Sequence, residues 1–142
     1  MTSHNGFTLI EILLVIALIA IIGASASPFL SNFILRNRYE ATTDALLSSL
    51  RKAQAYSMQR KGGGTWGICL AGSNIRIYRG SCNSPTVSED FSVASTITIT
   101  GLTDTTFSAL RGEPSGALAI TVSSPIGNRA VTVNAAGMIQ MD

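Results

Sequence analysis

Gly6-Phe7-Thr8-Leu9-Ile10-Glu11, with the run Ile12–Ile22 behind it, is the stretch whose reading decides the fold. Every side chain in that run is aliphatic, and one carboxylate stands at its head. A lone ionised carboxylate at the centre of a bilayer costs roughly 2.5–3.5 kcal/mol on insertion scales, so it needs a partner there. Secretory signals place positive charge ahead of their apolar run, not a glutamate inside it. The simplest partner for Glu11 is an ammonium group on another copy of the same chain. Cutting the bond between Gly6 and Phe7 makes such a group, because Phe7 becomes an N-terminus with a free amine. On a helix Phe7 and Glu11 lie one turn apart and point the same way. An axial stagger between neighbouring copies then brings one chain's amine to the next chain's carboxylate.

The same residues carry a resemblance. Gly6-Phe7-Thr8-Leu9-Ile10-Glu11 followed by an aliphatic helix resembles the class III signal of type IV pilins and type II secretion pseudopilins. The resemblance implies a prepilin peptidase that cuts between Gly6 and Phe7 and methylates the new amino group of Phe7. It assigns Glu11 to filament assembly and register. It implies the α+β pilin fold: one long N-terminal helix, apolar in its first half and amphipathic in its second, packed on an antiparallel sheet. The motif covers only the first third of the chain, and the leader, residues 1–6, has no Lys or Arg where leaders of this kind usually carry one.

Working outward, residues 7–27 are long enough to span a bilayer, which takes about 20 residues. A rival reading stays open: Ala24-Ser25-Ala26 has the small residues of an ordinary signal-peptidase site. Arg36 and Arg38 follow the span and taken alone would hold the C-terminal part in the cytoplasm. The pilin-like motif argues for export, and we follow it. Gly23 and Pro28 are the points where the helix is expected to break, since proline removes an N–H and its ring crowds the carbonyl one turn back. A simple kink and a segment that melts on assembly both fit. From 28 to 61 the helix should continue and become amphipathic, with Tyr39, Leu46, Leu47, Leu50, Ala53, Ser57 and Met58 on one face. Gly62-Gly63-Gly64 should stop it.

Residues 62–142 then form a β-rich domain, marginal alone at that size and helped by a covalent staple or a packed helix. Cys69 and Cys82 are the only cysteines, and in an exported domain they read as a disulfide. Alternation at period 2 predicts strands at Trp66–Leu70 and Asn74–Tyr78, a loop at Arg79–Pro85, and strands at Thr96–Thr100, Thr106–Leu110, Ala117–Val122 and Ala130–Val133. Ser123–Asn128 reads as a longer hairpin loop, and Met138–Gln140 as an edge strand. From Leu46 to Gly62, at Trp66–Leu70 and at Val131–Ile139, the layout also resembles the GspH/FimT-type minor pilins. Members of that group implicated in DNA uptake carry a basic C-terminal segment. This chain has no basic residue after Arg129, so DNA as a partner has no support in the sequence.

Catalysis finds little to work with. The one histidine, His4, lies in the expected leader, so the mature chain offers no Ser-His-Asp arrangement. No cofactor or metal set is indicated, since the two cysteines have no histidine to complete a tetrahedral site. Glu89-Asp90 reads as a solvated or strand pair facing opposite ways. With only 13% charged residues and a net charge of +2, a nucleic-acid reader is not suggested either. The reading is therefore a non-enzymatic subunit of a type IV pilus or type II secretion filament. Its partners are other pilins, the prepilin peptidase and the inner membrane, before it moves to an extracellular or periplasmic filament. The alternative is a binding module on the same anchor, at a filament tip or in the membrane. Its basic concentration, Arg36, Arg38, Arg51, Lys52, Arg60 and Lys61, reads as a solvated helix face.

Overall fold

The computed structural model describes residues 7–142, and the side chains of all of these except 25–29. The leader, Gly6 included, and the side chain of Pro28 therefore lie outside the described residues. The first element, α1, spans Leu9–Met58, so Gly23 and Pro28 both fall within helical backbone. Two compact units divide between Ile34 and Leu35. The first holds the start of α1 and is taken up below with the site.

The second unit joins the end of α1 to eight strands. The helix stops at Met58, ahead of the expected Lys61, because Arg60 turns left-handed (φ 48°) and its N–H donates to the Ser57 carbonyl at 3.0 Å. A single 3-10 turn, Lys61–Gly63, follows. Strands β1 (Trp66–Ala71) and β2 (Asn74–Gly80) form a hairpin in which Ala71 pairs with Asn74. That leaves a two-residue loop, and Gly72 supplies the positive φ such loops need. β3 (Pro85–Ser92) adds to β2, and β5 (Thr105–Thr106) adds to the other side of β1, giving the order β3-β2-β1-β5. The second sheet has the order β4-β6-β7-β8, from Thr98–Thr100, Leu118–Ser124, Gly127–Val133 and Ile139–Met141. Both sheets are antiparallel throughout.

Three departures from the sequence reading have physical causes. β3 was hidden because an edge strand with polar residues on its open side shows no apolar alternation. The expected strand Thr106–Leu110 shrinks to two residues. Phe107 bridges to Pro114, and the chain between them turns back on itself with Leu110 at φ 72°. The expected long loop Ser123–Asn128 is a two-residue turn, because Ser124 already pairs with Gly127.

One core joins the helix to both sheets. Leu46, Leu50 and Ala53 of α1 cluster with Ile68, Ile75 and Ile77 of the first sheet and Ile120, Val122, Val131 and Val133 of the second. Of the helix stripe read from the sequence, Tyr39, Leu46, Leu47, Leu50, Ala53 and Ser57 are buried, while Met58 stays 44% exposed. Polar residues fix the helix in place. The Ser57 hydroxyl accepts from the Trp66 N–H at 2.6 Å and donates to the Trp66 carbonyl at 3.0 Å, so it closes both backbone groups at the head of β1. The Gln54 amide donates to the carbonyls of Gly112 (2.9 Å) and Gly137 (2.8 Å), tying two loops to one helix turn. Ring stacking adds to this: Tyr56 meets Trp66 edge-on at 4.8 Å.

On the opposite face of the first sheet, Cys69 and Cys82 form a disulfide and bury with Tyr78. Arg76, directly across from Cys69, holds Asp90 through two parallel bonds of 2.8 and 2.7 Å and donates to the Cys82 carbonyl at 3.1 Å. Such fork-to-fork pairs are the stronger kind of charge-assisted bond. Glu89, next along β3, accepts instead from Lys52 of α1. The acidic neighbours thus face opposite ways, and each ties β3 to a different element.

Hydrogen bonds from Arg76 hold the Asp90 carboxyl below the usual carboxylate range. A depressed folded pKa means the stabilisation is complete above the unfolded value, about 3.9, and is lost as pH falls through the folded one. Acid melts of the wild type should therefore lose stability below about pH 4. Asp90→Asn should be less stable near neutrality and flatter across that acid range. Parallel melting curves for the two proteins from pH 5 to pH 2 would show that the pair contributes nothing.

Candidate functional site

The first unit presents the site. Thr8 precedes α1 and caps it. Its carbonyl accepts from the N–H groups of Glu11 (3.1 Å) and Ile12 (3.3 Å), and its hydroxyl lies 3.4 Å from the Glu11 N–H. Thr8 and Glu11 thus stand at the N-cap and third helical positions, the Thr-x-x-Glu spacing of a capping box. The signal is legible in the hexapeptide Gly6–Glu11 itself. The first-turn position also sets the Glu11 carboxylate against the positive end of the helix dipole.

α1 begins at Leu9, and Phe7 lies just before the cap. The turn-apart relation requires the helix to extend back once the leader is gone. Phe7 is 80% exposed, and Glu11 is exposed and takes part in none of the ion pairs among the described residues. Behind them every described side chain from Leu9 to Ala24 is exposed, with Leu9, Ile10, Ile21 and Ile22 each above 60%. A helix apolar on all sides belongs inside something: a larger core, a bundle of helices or a lipid phase. An exposed apolar stretch of this extent marks an interaction surface, and one acid stands at its head.

This arrangement matches a known signature. Residues 1–27 fit the family model of the prokaryotic N-terminal methylation motif. The chain carries the class III signal of type IV pilins. The match ends at residue 27, and the motif supports a type IV pilin or pseudopilin. No curated protein and no solved structure matches the chain. The α+β arrangement of a helix on antiparallel sheets is consistent with the pilin fold.

The expected bilayer span, 7–27, is not shown by the structure: among the described residues, no helix is long and apolar enough to cross a membrane. The motif itself suggests an anchored chain that later enters an extracellular filament.

The other sequence candidates fall into structural places. Cys69 and Cys82 are joined in the disulfide. Among the described residues, no three His, Cys, Asp or Glu side chains gather as a metal cluster. The basic residues of the helix face are partly engaged: Arg36 lies 3.5 Å from Glu40, Lys52 holds Glu89, and the Lys61 ammonium sits 3.6 Å from the centre of the Tyr56 ring. They do not form one uninterrupted track.

Proposed function

We propose that this chain is a structural subunit of a type IV pilus or of a type II secretion pseudopilus. A prepilin peptidase cuts between Gly6 and Phe7 and methylates the new amine of Phe7. The apolar segment 7–27 rests in the inner membrane until the subunit is extracted, then packs against the same segment of other pilins. The Glu11 carboxylate meets a neighbour's Phe7 amine in that apolar setting and fixes the axial register. Helical backbone at Gly23 and Pro28 melts or bends as the segments pack.

The observation that carries this reading is the coincidence of the methylation motif with an exposed apolar helix headed by one acid that makes no ion pair among the described residues. Free energy supports it: apolar area removed from water contributes about 25 cal/mol per Å², and the large apolar side chains from Phe7 to Ile22 each have about half or more of their area still to bury. The globular unit supplies the subunit's outward surface and keeps its own core, independent of assembly.

Mass spectrometry of the mature N-terminus tests the reading. The expected chain begins at N-methylated Phe7, with a mass larger by one methyl group than the cut peptide. A mature chain beginning after Ala26 would support ordinary secretion and remove the basis for polymerisation.

A further inference from the structure

At the end of α1 lie two adjoining hollows of about 290 and 330 Å³ that share Gly63, Gly64 and Thr65. Arg79 lines the first and Arg60 the second. The Arg79 guanidinium crosses the glycine turn and donates to the Gly62 carbonyl at 2.5 Å. It can do so only because position 62 lacks a side chain: a Cβ there would fall 1.7 Å from Arg79 Nη1. One of its N–H groups is thereby fixed, and among the described residues this is the guanidinium's one side-chain hydrogen bond. Arg60 has no ion pair among the described residues, and neither has Arg79. No acidic residue lines either hollow.

Arg60 is the second observation. It sits at the helix C-terminus in the left-handed region, φ 48°, where glycine is the usual occupant. Holding a side chain there costs on the order of 1 kcal/mol, although glycines stand two, three and four residues on. A strained residue held against a cheaper choice is a pointer to function. The strain here retains a cation on the rim of a glycine-floored cleft.

We propose that Arg60, Arg79 and the Gly62–Thr65 turn form an oxyanion site that takes a phosphate or sulfate group. Guanidinium forks match tetrahedral oxyanions in two bonds at once. The glycine turn keeps bulky side chains out of both hollows, and Thr65 and Thr86 line the same hollow as Arg79. The site is local, with two guanidinium groups and a short floor. A nucleic-acid track would need a longer row of cations. The inference is independent of polymerisation, because every residue in it belongs to the globular unit.

Nitrogen-15 NMR of the full chain in detergent micelles tests it. Titration with inorganic phosphate, and separately with sulfate, should shift the amides of Gly62, Gly63, Gly64 and Thr65 along a saturating curve. Arg60→Gln and Arg79→Gln should each weaken the midpoint by about tenfold, the loss of one charge-assisted pair. Arg60→Gln keeps the test sound if Arg79→Gln disturbs the turn, since the Arg60 guanidinium makes no ion pair among the described residues. Arg51→Gln, on the exposed side of α1, should leave the midpoint unchanged. A sugar phosphate that binds more tightly than free phosphate would support the site and identify an ester as its ligand; equal binding would support it for the free ion. Shifts that never saturate would overturn the proposal, as would equal weakening by Arg51→Gln. So would a response to an oligonucleotide alone.

Discussion

Glu11→Ala should lower the yield of sheared filaments by about a hundredfold and leave the globular unit folded. Removing one partner of a buried ion pair costs 3–5 kcal/mol, because the other charge is left uncompensated. Here that would be the Phe7 amine, stranded in apolar surroundings at each subunit contact. The intramolecular cost is small by comparison. Glu11 is exposed, and losing an acid from the first turn of a helix costs roughly 0.3–1 kcal/mol. The Thr8 cap is made through backbone N–H groups that alanine keeps. Quantifying sheared filaments alongside the circular dichroism of the variant separates the two effects. Wild-type yield from Glu11→Ala would show that this carboxylate does not set the register.

Leu50→Ala should destabilise the globular unit by about 4 kcal/mol, in the upper part of the range for buried Leu→Ala changes. Leu50 is fully buried and belongs to the cluster that joins α1 to both sheets, so a cavity there cannot be refilled by one element moving alone. Met58 lies on the same helix stripe in the sequence but is 44% exposed, and Met58→Ala should cost less than about 1 kcal/mol. Denaturant unfolding of both variants gives the comparison. Equal losses at the two positions would mean that the helix stripe, and not the closure of the two sheets over it, governs stability.

The legible parts of the fold were those with a strong local period. The helix stripe was readable because apolar residues recur at the spacing of a helix, and six of its seven named residues are buried. β6 was readable because Leu118, Ile120 and Val122 alternate with outward residues. β3 was not. Its Glu89 and Asp90 are charges that look like a loop, and they become strand residues only because Lys52 and Arg76 stand opposite them. The brevity of β5 was equally hidden. Nothing in Thr106–Leu110 announces that Leu110 takes a left-handed turn. At the candidate site, the acid and the apolar run were visible in the sequence, but the capping role of Thr8 was overlooked.

The sequence by itself determined the local matters: an apolar helix with one acid at its head, an amphipathic continuation, and the period-2 segments that become strands. These follow from side-chain spacing, which a chain carries whether folded or not. Only the tertiary structure decided the division of strands into two sheets, the edge strand β3, the end of α1 at Met58 and the meeting of Arg60 with the glycine turn and Arg79. The sheets and the edge strand depend on residues far apart in the chain that come together only when one core closes over them, while the helix end is set by the backbone turn at Arg60.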